Sequence, residues 1–247
     1  ARLLANFGVG YNHIDVVAAR AVGVAVTNTP GAVTEATADI ALTLMLMTAR
    51  RAGEAERALR AGHWQGWHPT QFLGAMVSGK TLGIIGMGRI GQAIARRCHH
   101  GFGMQVVFHN RSKVELGALA TQRDLPEVLA ADFVVIAVPG GGENRHLIDA
   151  QALALMAPHG LLINIARGDV VDEAALVSHL AAGRIAGAGL DVYEHEPQVS
   201  AGLLALENVT LLPHLGTAVE AVRLDMGLMA VANLVALAEG RPLLNPV

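Results

Sequence analysis

Cysteine occurs once in these 247 residues, as Cys98. One thiol cannot build an internal disulfide framework, and it fits a reducing compartment with a buried side chain. No block of like charge is present and the net charge is only -3. The footprint of a nucleic-acid binder or a membrane-surface protein is therefore missing, which leaves a small molecule as the expected partner. No apolar run reaches bilayer length: the longest, within Ile40–Ala49, is too short to span and reads as a buried helix. The charged, apolar and small-residue series of a signal peptide is absent as well, so a cytoplasmic location is expected. Nor does a methionine open the chain. It starts at Arg2-Leu-Leu-Ala-Asn6, which reads as a strand already under way, so the numbering is expected to begin inside a longer protein. His99 and His100 have no second pair of ligands at zinc spacing, so they read as helix surface and no metal site is expected.

What is present centres on Lys80-Thr-Leu-Gly-Ile-Ile-Gly-Met-Gly-Arg-Ile-Gly91, a short apolar strand running into a Gly86-x-Gly88-x-x-Gly91 turn that opens a helix. Gly86 permits the tight turn, Gly88 lets a pyrophosphate approach the backbone, and Gly91 lets helix and strand pack closely. The phosphates of a dinucleotide would rest on the N–H groups and positive dipole end of the helix starting near Arg89 and Ile90. A glycine pattern alone is weak in a chain with 28 glycines. Its context is specific: an apolar strand Thr81–Ile85 precedes it, and a second strand, Gln105–His109, follows at about the expected spacing of ~20 residues.

Apolar strand candidates alternate with helical patterns from Thr81 to Leu212: Thr81–Ile85, Gln105–His109, Phe133–Val138, Leu161–Ile165, Ala186–Val192 and Val209–Leu212. Helices are expected near Arg89–His99, Asp149–Met156 and Asp172–Ala182. This is the pattern of an α/β fold with a doubly wound parallel sheet, in which ligands bind beyond the carboxyl ends of the strands. Ahead of it, Asn28-Thr-Pro-Gly31 is a turn and hinge, and Thr34 caps one long helix through Leu59. Behind it, Ala218–Glu239 forms another long helix ending near Gly240 and Pro242. The expected division is a dinucleotide-binding domain over 34–217, with 1–33 and 218–247 as parts of a second domain. Met45 and Met47 read as core. Trp64 and Trp67 are expected to pack between domains or subunits.

Three strand ends carry polar groups that packing does not require: Arg167-Gly168, Glu194-His195-Glu196-Pro197 and Pro213-His214. Each alone also fits an ordinary solvated residue, and the chain has 11 histidines. Together they place a cation, a carboxylate and an imidazole on one rim, as reduction of a 2-keto acid requires. Arginine holds a carboxylate by two charge-assisted hydrogen bonds, histidine protonates a carbonyl oxygen, and a neighbouring carboxylate favours the charged imidazole.

These residues carry a resemblance. Ala5-Asn-Phe-Gly-Val-Gly-Tyr-Asn-His-Ile-Asp15, Asn28-Thr-Pro-Gly31, the glycine turn, Asn164-Ile-Ala-Arg-Gly168, Gly189-Leu-Asp-Val192 with Glu196-Pro197, and Leu212-Pro-His-Leu-Gly216 resemble the D-isomer-specific 2-hydroxyacid dehydrogenases in order and spacing. The resemblance covers essentially the whole chain and is strongest toward the NADPH-preferring glyoxylate and hydroxypyruvate reductases. It implies a Rossmann domain and part of a flavodoxin-like domain whose N-terminal portion is absent. It also implies a catalytic set of Arg167, Glu196 and His214, with substrate bound by Arg167 and the backbone amides of Val9 and Gly10. The implied cofactor contacts are Thr37, Gly86, Gly88, Arg89, Ile90, Gly91, Asn110, Arg111, Ser112, Val138, Pro139, Ala166, Asp191 and Gly216, with Asp191 orienting the carboxamide. Glu196 separates the chain from formate dehydrogenases, which carry glutamine there. Gly140-Gly-Gly142 departs from the family's threonine-bearing loop and implies a looser one.

The second strand ends Phe108-His-Asn110-Arg-Ser-Lys113, with no acidic residue. A carboxylate would repel a 2′-phosphate and Arg111 would bind it, so NADP is the expected cofactor, with NAD possible in its place. The same family includes C-terminal-binding protein corepressors, which use the fold to sense nucleotide and bind a partner, and a piece that binds nucleotide without turnover is a further alternative. Family members commonly dimerise, so a homodimer is implied.

Overall fold

The computed structural model describes all 247 residues, and the chain divides into two compact units, Ala38–Leu215 and Ala1–Thr37 with Gly216–Val247. The expected boundaries at 33/34 and 217/218 lie close by but not at these positions. The first division falls inside a helix that begins at Thr34.

The larger unit holds a seven-stranded, all-parallel sheet built from β3 (Thr81–Ile85), β4 (Gln105–His109), β5 (Thr121–Gln122), β6 (Phe133–Ile136), β7 (Leu161–Asn164), β8 (Gly187–Leu190) and β9 (Val209–Leu211). Their spatial order is β5-β4-β3-β6-β7-β8-β9, so the direction of winding reverses between β3 and β6. That reversal opens a crevice at the carboxyl ends of those two strands. β6, β7 and β8 are buried at every position because helices cover both faces, which is why they read as continuous apolar runs rather than alternating ones. On one face α2 (Thr34–Ala49) and α4 (Arg89–Phe102) contribute to a core with Leu44, Met45, Ile94, Phe108 and Phe133. On the other, α5 (Leu125–Leu129), α6 (Ala150–Ala154) and α7 (Glu173–Ala181) enclose Leu129, Ile136, Leu153 and Leu176. A short α8 (Ala201–Leu204) leads into β9.

The expected helix from Thr34 to Leu59 is instead two helices, α2 and α3 (Ala52–Arg60). The Ala49 carbonyl accepts from the Ala75 N–H at 2.7 Å, so it is not available to continue the ladder, and Arg51 takes a left-handed φ of 51°. Of the two methionines read as core, Met45 is fully buried and Met47 only partly. Trp64 and Trp67 lie in the following segment and are exposed.

At the opposite end of the sheet Asp132 staples β3 to β6. Its carboxylate accepts from the Thr81 N–H at 2.8 Å, the Thr81 hydroxyl at 2.6 Å and His159 Nε2 at 3.0 Å, while Thr81 Oγ1 accepts from the Asp132 N–H. Burial pushes this carboxyl up, but the Thr81 bonds and Lys80 outweigh it and hold it below the usual range. A depressed carboxyl stabilises the fold above its unfolded value, near ~3.9, and loses that effect as pH falls through the folded-state value. Asp132→Ala is therefore expected to cost about 1–3 kcal/mol at neutral pH. In thermal melts its gap from the parent should narrow as the solution is acidified.

The smaller unit pairs β1 (Leu3–Ala5) with β2 (Ala25–Thr27) in parallel, joined by α1 (Val16–Ala21), with α9 (Glu220–Ala238) packed on β1. Asp15 caps α1 by accepting from the Ala18 N–H at 2.9 Å. Asn233, fully buried, accepts from the Leu244 and Asn245 N–H groups and donates to the Met229 carbonyl, tying down the C-terminal tail. Contrary to the sequence reading, one helix is long and apolar enough to cross a bilayer: α9, by length and composition. Its first two turns nevertheless carry Glu220, Arg223 and Asp225, and Met226, Asn233 and Ala236 are buried in the unit.

Candidate active site

The glycine turn sits where the winding reverses. Gly86 has φ 98°, and a Cβ there would overlap the Ala137 carbonyl and Val138; a Cβ on Gly91 would overlap the Gly86 carbonyl. Gly88 meets nothing within 4 Å. It is the N-cap of α4 and offers no side chain to the first-turn N–H groups at Arg89, Ile90 and Gly91. Two glycines are thus demanded by close packing, while Gly88 leaves the space over the helix N-terminus open, the arrangement that receives a pyrophosphate. These residues fit a dinucleotide.

At the end of β4, Asn110 Oδ1 accepts from the Met87 N–H at 3.2 Å, and its Nδ2 donates to the Ser112 hydroxyl at 2.9 Å. Asn110 thereby joins the glycine turn to the Arg111-Ser112 corner. Arg111 forms an exposed ion pair with Glu143 at 2.8 Å, an interaction of small net worth that an incoming anion can displace. An open groove of about 290 Å³ lies beside this corner, lined by His109, Asn110, Gln122, Arg123, Asp124 and Glu127. A second hollow of about 310 Å³, lined by Thr48, Arg51, Ala186 and Asn208 among others, adjoins the amino ends of β8 and β9 and is remote from this chemistry.

Further along the same rim, Glu196 and His214 meet. His214 Nδ1 lies 2.8 Å from Glu196 Oε2, and Glu196 Oε1 accepts from the Tyr193 N–H at 3.0 Å. A carboxylate only accepts, so Nδ1 carries the hydrogen and Nε2 is left for another partner. His214 adopts a left-handed φ of 56°, uncommon for a residue with a side chain. Asp191 is buried at the end of β8, and its Oδ1 accepts from the Leu215 N–H at 2.6 Å, fixing the chain just after His214. Arg167 follows β7 and Ala166, donates from Nη1 to the Ala166 carbonyl at 2.7 Å, and has its stem packed so closely on Gly140 that a Cβ there would collide with it.

The loop from Pro139 to His146, expected to be loose, is tethered at several points. Gly141 N–H donates to Asp169 Oδ2 at 2.8 Å, the His146 N–H to the Asp169 carbonyl at 2.8 Å, and Asn144 Nδ2 to the Pro139 carbonyl at 2.9 Å. His146 Nε2 reaches Glu194 Oε1 at 2.7 Å. Burial pushes the Glu194 carboxyl up, yet the hydrogen bonds it accepts from His146 and from the Glu173 backbone N–H hold it net below the usual range.

In the smaller unit, Asn28 Nδ2 donates to the Val9 carbonyl at 2.9 Å and Asn6 Nδ2 to the Gly10 carbonyl at 3.1 Å, fixing the loop that bears both amides. Thr37, also buried, donates through Oγ1 to the Gly216 carbonyl at 3.1 Å.

Residues 42–216 match the family described as D-isomer specific 2-hydroxyacid dehydrogenase, NAD binding domain. The chain belongs to this family. As a 2-hydroxyacid dehydrogenase it is an NAD(P)-dependent oxidoreductase. It is 49% identical over 249 residues to a glyoxylate reductase of Thermococcus kodakarensis, covering 97% of this chain and 74% of the relative. A solved NADPH-dependent glyoxylate/hydroxypyruvate reductase from Sinorhizobium meliloti, in complex with NADP and malonate, superposes with a TM-score of 0.93 at 44% identity, covering 100% of this chain and 77% of that one. A glyoxylate reductase from Paecilomyes thermophila gives 0.93 at 41% identity, covering 100% and 75%.

Sequence reasoning missed several residues of this dehydrogenase's rim. Asp169 was given no role, and Glu194 none of its own, because only the fold brings the 139–146 loop onto them. Tyr193 was given no reading at all.

Proposed function

We propose that this dehydrogenase reduces a short 2-keto acid of the glyoxylate or hydroxypyruvate type to the D-2-hydroxy acid, with NADPH as the preferred cofactor. The observation that carries the reading is the Glu196–His214 pair at 2.8 Å on the strand-end rim that also bears Arg167. Arg167 would grip the substrate carboxylate with its planar fork. His214, its Nδ1–H committed to Glu196, would present Nε2 to the substrate carbonyl and deliver the proton to its oxygen. Glu196 would hold the imidazolium in that orientation, its other oxygen fixed by the Tyr193 N–H. A dinucleotide held by its pyrophosphate at the glycine turn would supply hydride from its nicotinamide to the carbonyl carbon. Asp191 would receive the carboxamide while fixing the chain at Leu215.

For the cofactor, the support is the Asn110-Arg111-Ser112 corner, which offers a guanidinium and a hydroxyl and no carboxylate. Charge-assisted bonds to a phosphate are the strong ones. Arg111→Ala is expected to lower kcat/KM with NADPH about tenfold or more and leave NADH almost unaffected. Parent kcat/KM values with NADH equal to or above those with NADPH would remove the preference.

A homodimer goes with this reading. Leu59, Trp64, Trp67, Leu73 and Met76 are exposed along one segment, with Trp67 at 83%, an apolar run that a second copy would cover. Light scattering should then give twice the chain mass, and the monomer mass would contradict it. A cytoplasmic setting is consistent with a single buried thiol, which burial pushes up to about 12.

A further inference from the structure

Tyr193 touches the chain segments of all three members of the proposed catalytic set. It is 8% exposed and stands three residues before Glu196. Its backbone N–H donates to Glu196 Oε1 at 3.0 Å. Its hydroxyl donates to the Leu212 carbonyl at 2.8 Å, two residues ahead of His214. Its own carbonyl lies flat against Gly168, where a Cβ would overlap it, and Gly168 directly follows Arg167. Burial, then Asp191, Glu196 and Glu173, push the phenol above its ordinary range, so the hydroxyl stays a donor throughout the working range of the protein.

We infer that Tyr193 is a positioning residue that sets the register of the His214 loop against Glu196. This rests on the reductase reading of the same rim. The physical reason is that β8 and β9 end independently, after Leu190 and Leu211. Beyond those points the strand ladder no longer fixes one loop against the other. The Leu212 N–H still reaches the Leu190 carbonyl at 2.8 Å, but Pro213 has no N–H to continue the series. Links in this region include the Tyr193 hydroxyl, the Asp191–Leu215 bond and the Glu196–His214 bond itself. A neutral hydroxyl-to-carbonyl bond is modest in stability, yet small misplacements of a proton donor are costly in rate.

Tyr193→Phe is the discriminating change, because it keeps the ring, the packing and the backbone N–H to Glu196 and removes only the hydroxyl. In the full chain, kcat with glyoxylate and NADPH is expected to fall about tenfold with the nucleotide KM unchanged. Independently of turnover, at a pH high enough to leave the ring neutral, ¹⁵N shifts of the His214 ring nitrogens should move from a single Nδ1–H form in the parent toward a mixture of tautomers. A small loss in melting temperature with ring-nitrogen shifts and kcat both at parent values would overturn the inference and leave Tyr193 a packing residue. A parent protein that reduces no keto acid would count against the reductase reading instead, and the ring-nitrogen comparison would still decide the role of Tyr193.

Discussion

His214→Ala is expected to lower kcat about 10²- to 10⁴-fold, the range that a positioned general acid contributes, while nucleotide affinity stays at the parent value. Both halves follow from place. His214 sits after β9 and is held by Glu196 at 2.8 Å, whereas the glycine turn follows β3, with β6, β7 and β8 between them in the sheet. The ring is not buried, so its removal opens no core cavity, and Asp191 still fixes the following residue through the Leu215 N–H. Steady-state kinetics and a fluorescence titration of bound nucleotide separate the two quantities. An alanine variant with parent turnover would show that the proton comes from elsewhere.

Arg167→Gln should reduce kcat/KM for the keto acid about 10²-fold, mostly through KM. Two charge-assisted bonds to a carboxylate are each worth about 1.5–3 kcal/mol, and every 1.4 kcal/mol is about tenfold. Arg167→Lys should recover only part of this, since an ammonium keeps the charge but not the fork. The arginine is set up for the role by its surroundings: its stem rests on Gly140, and Gly168 pins the chain after it against the Tyr193 carbonyl. Parent KM values for the keto acid in both variants would place the carboxylate elsewhere.

Much of the sheet was legible in the sequence because its signals are local. β3 and β4 match their expected ranges, since each is an apolar run with a sharp end. β6, β7 and β8 stop short of theirs, because the residues after them leave the ladder to line the rim. The placement of Arg167, Glu196 and His214 beyond strand ends was legible for the same reason: polar groups soon after apolar strands stand out. What was not legible depends on distant partners. The break between α2 and α3 arises because the Ala75 N–H takes the Ala49 carbonyl, and no residue near Arg51 announces it. Likewise, Gly140 to Gly142 suggested a slack loop, yet Asp169 and Glu194, brought in by β7 and β8, tie it down. Tyr193 was overlooked because an aromatic beside a buried strand end looks like core until its hydroxyl is seen on Leu212.

Assaying the chain with a panel of 2-keto acids, each with NADPH and with NADH, tests the central claim most directly. Glyoxylate or hydroxypyruvate should be reduced, with NADPH the more efficient donor and, for hydroxypyruvate, the D-isomer as product. A protein that binds nucleotide but oxidises none of it with any keto acid would contradict the account.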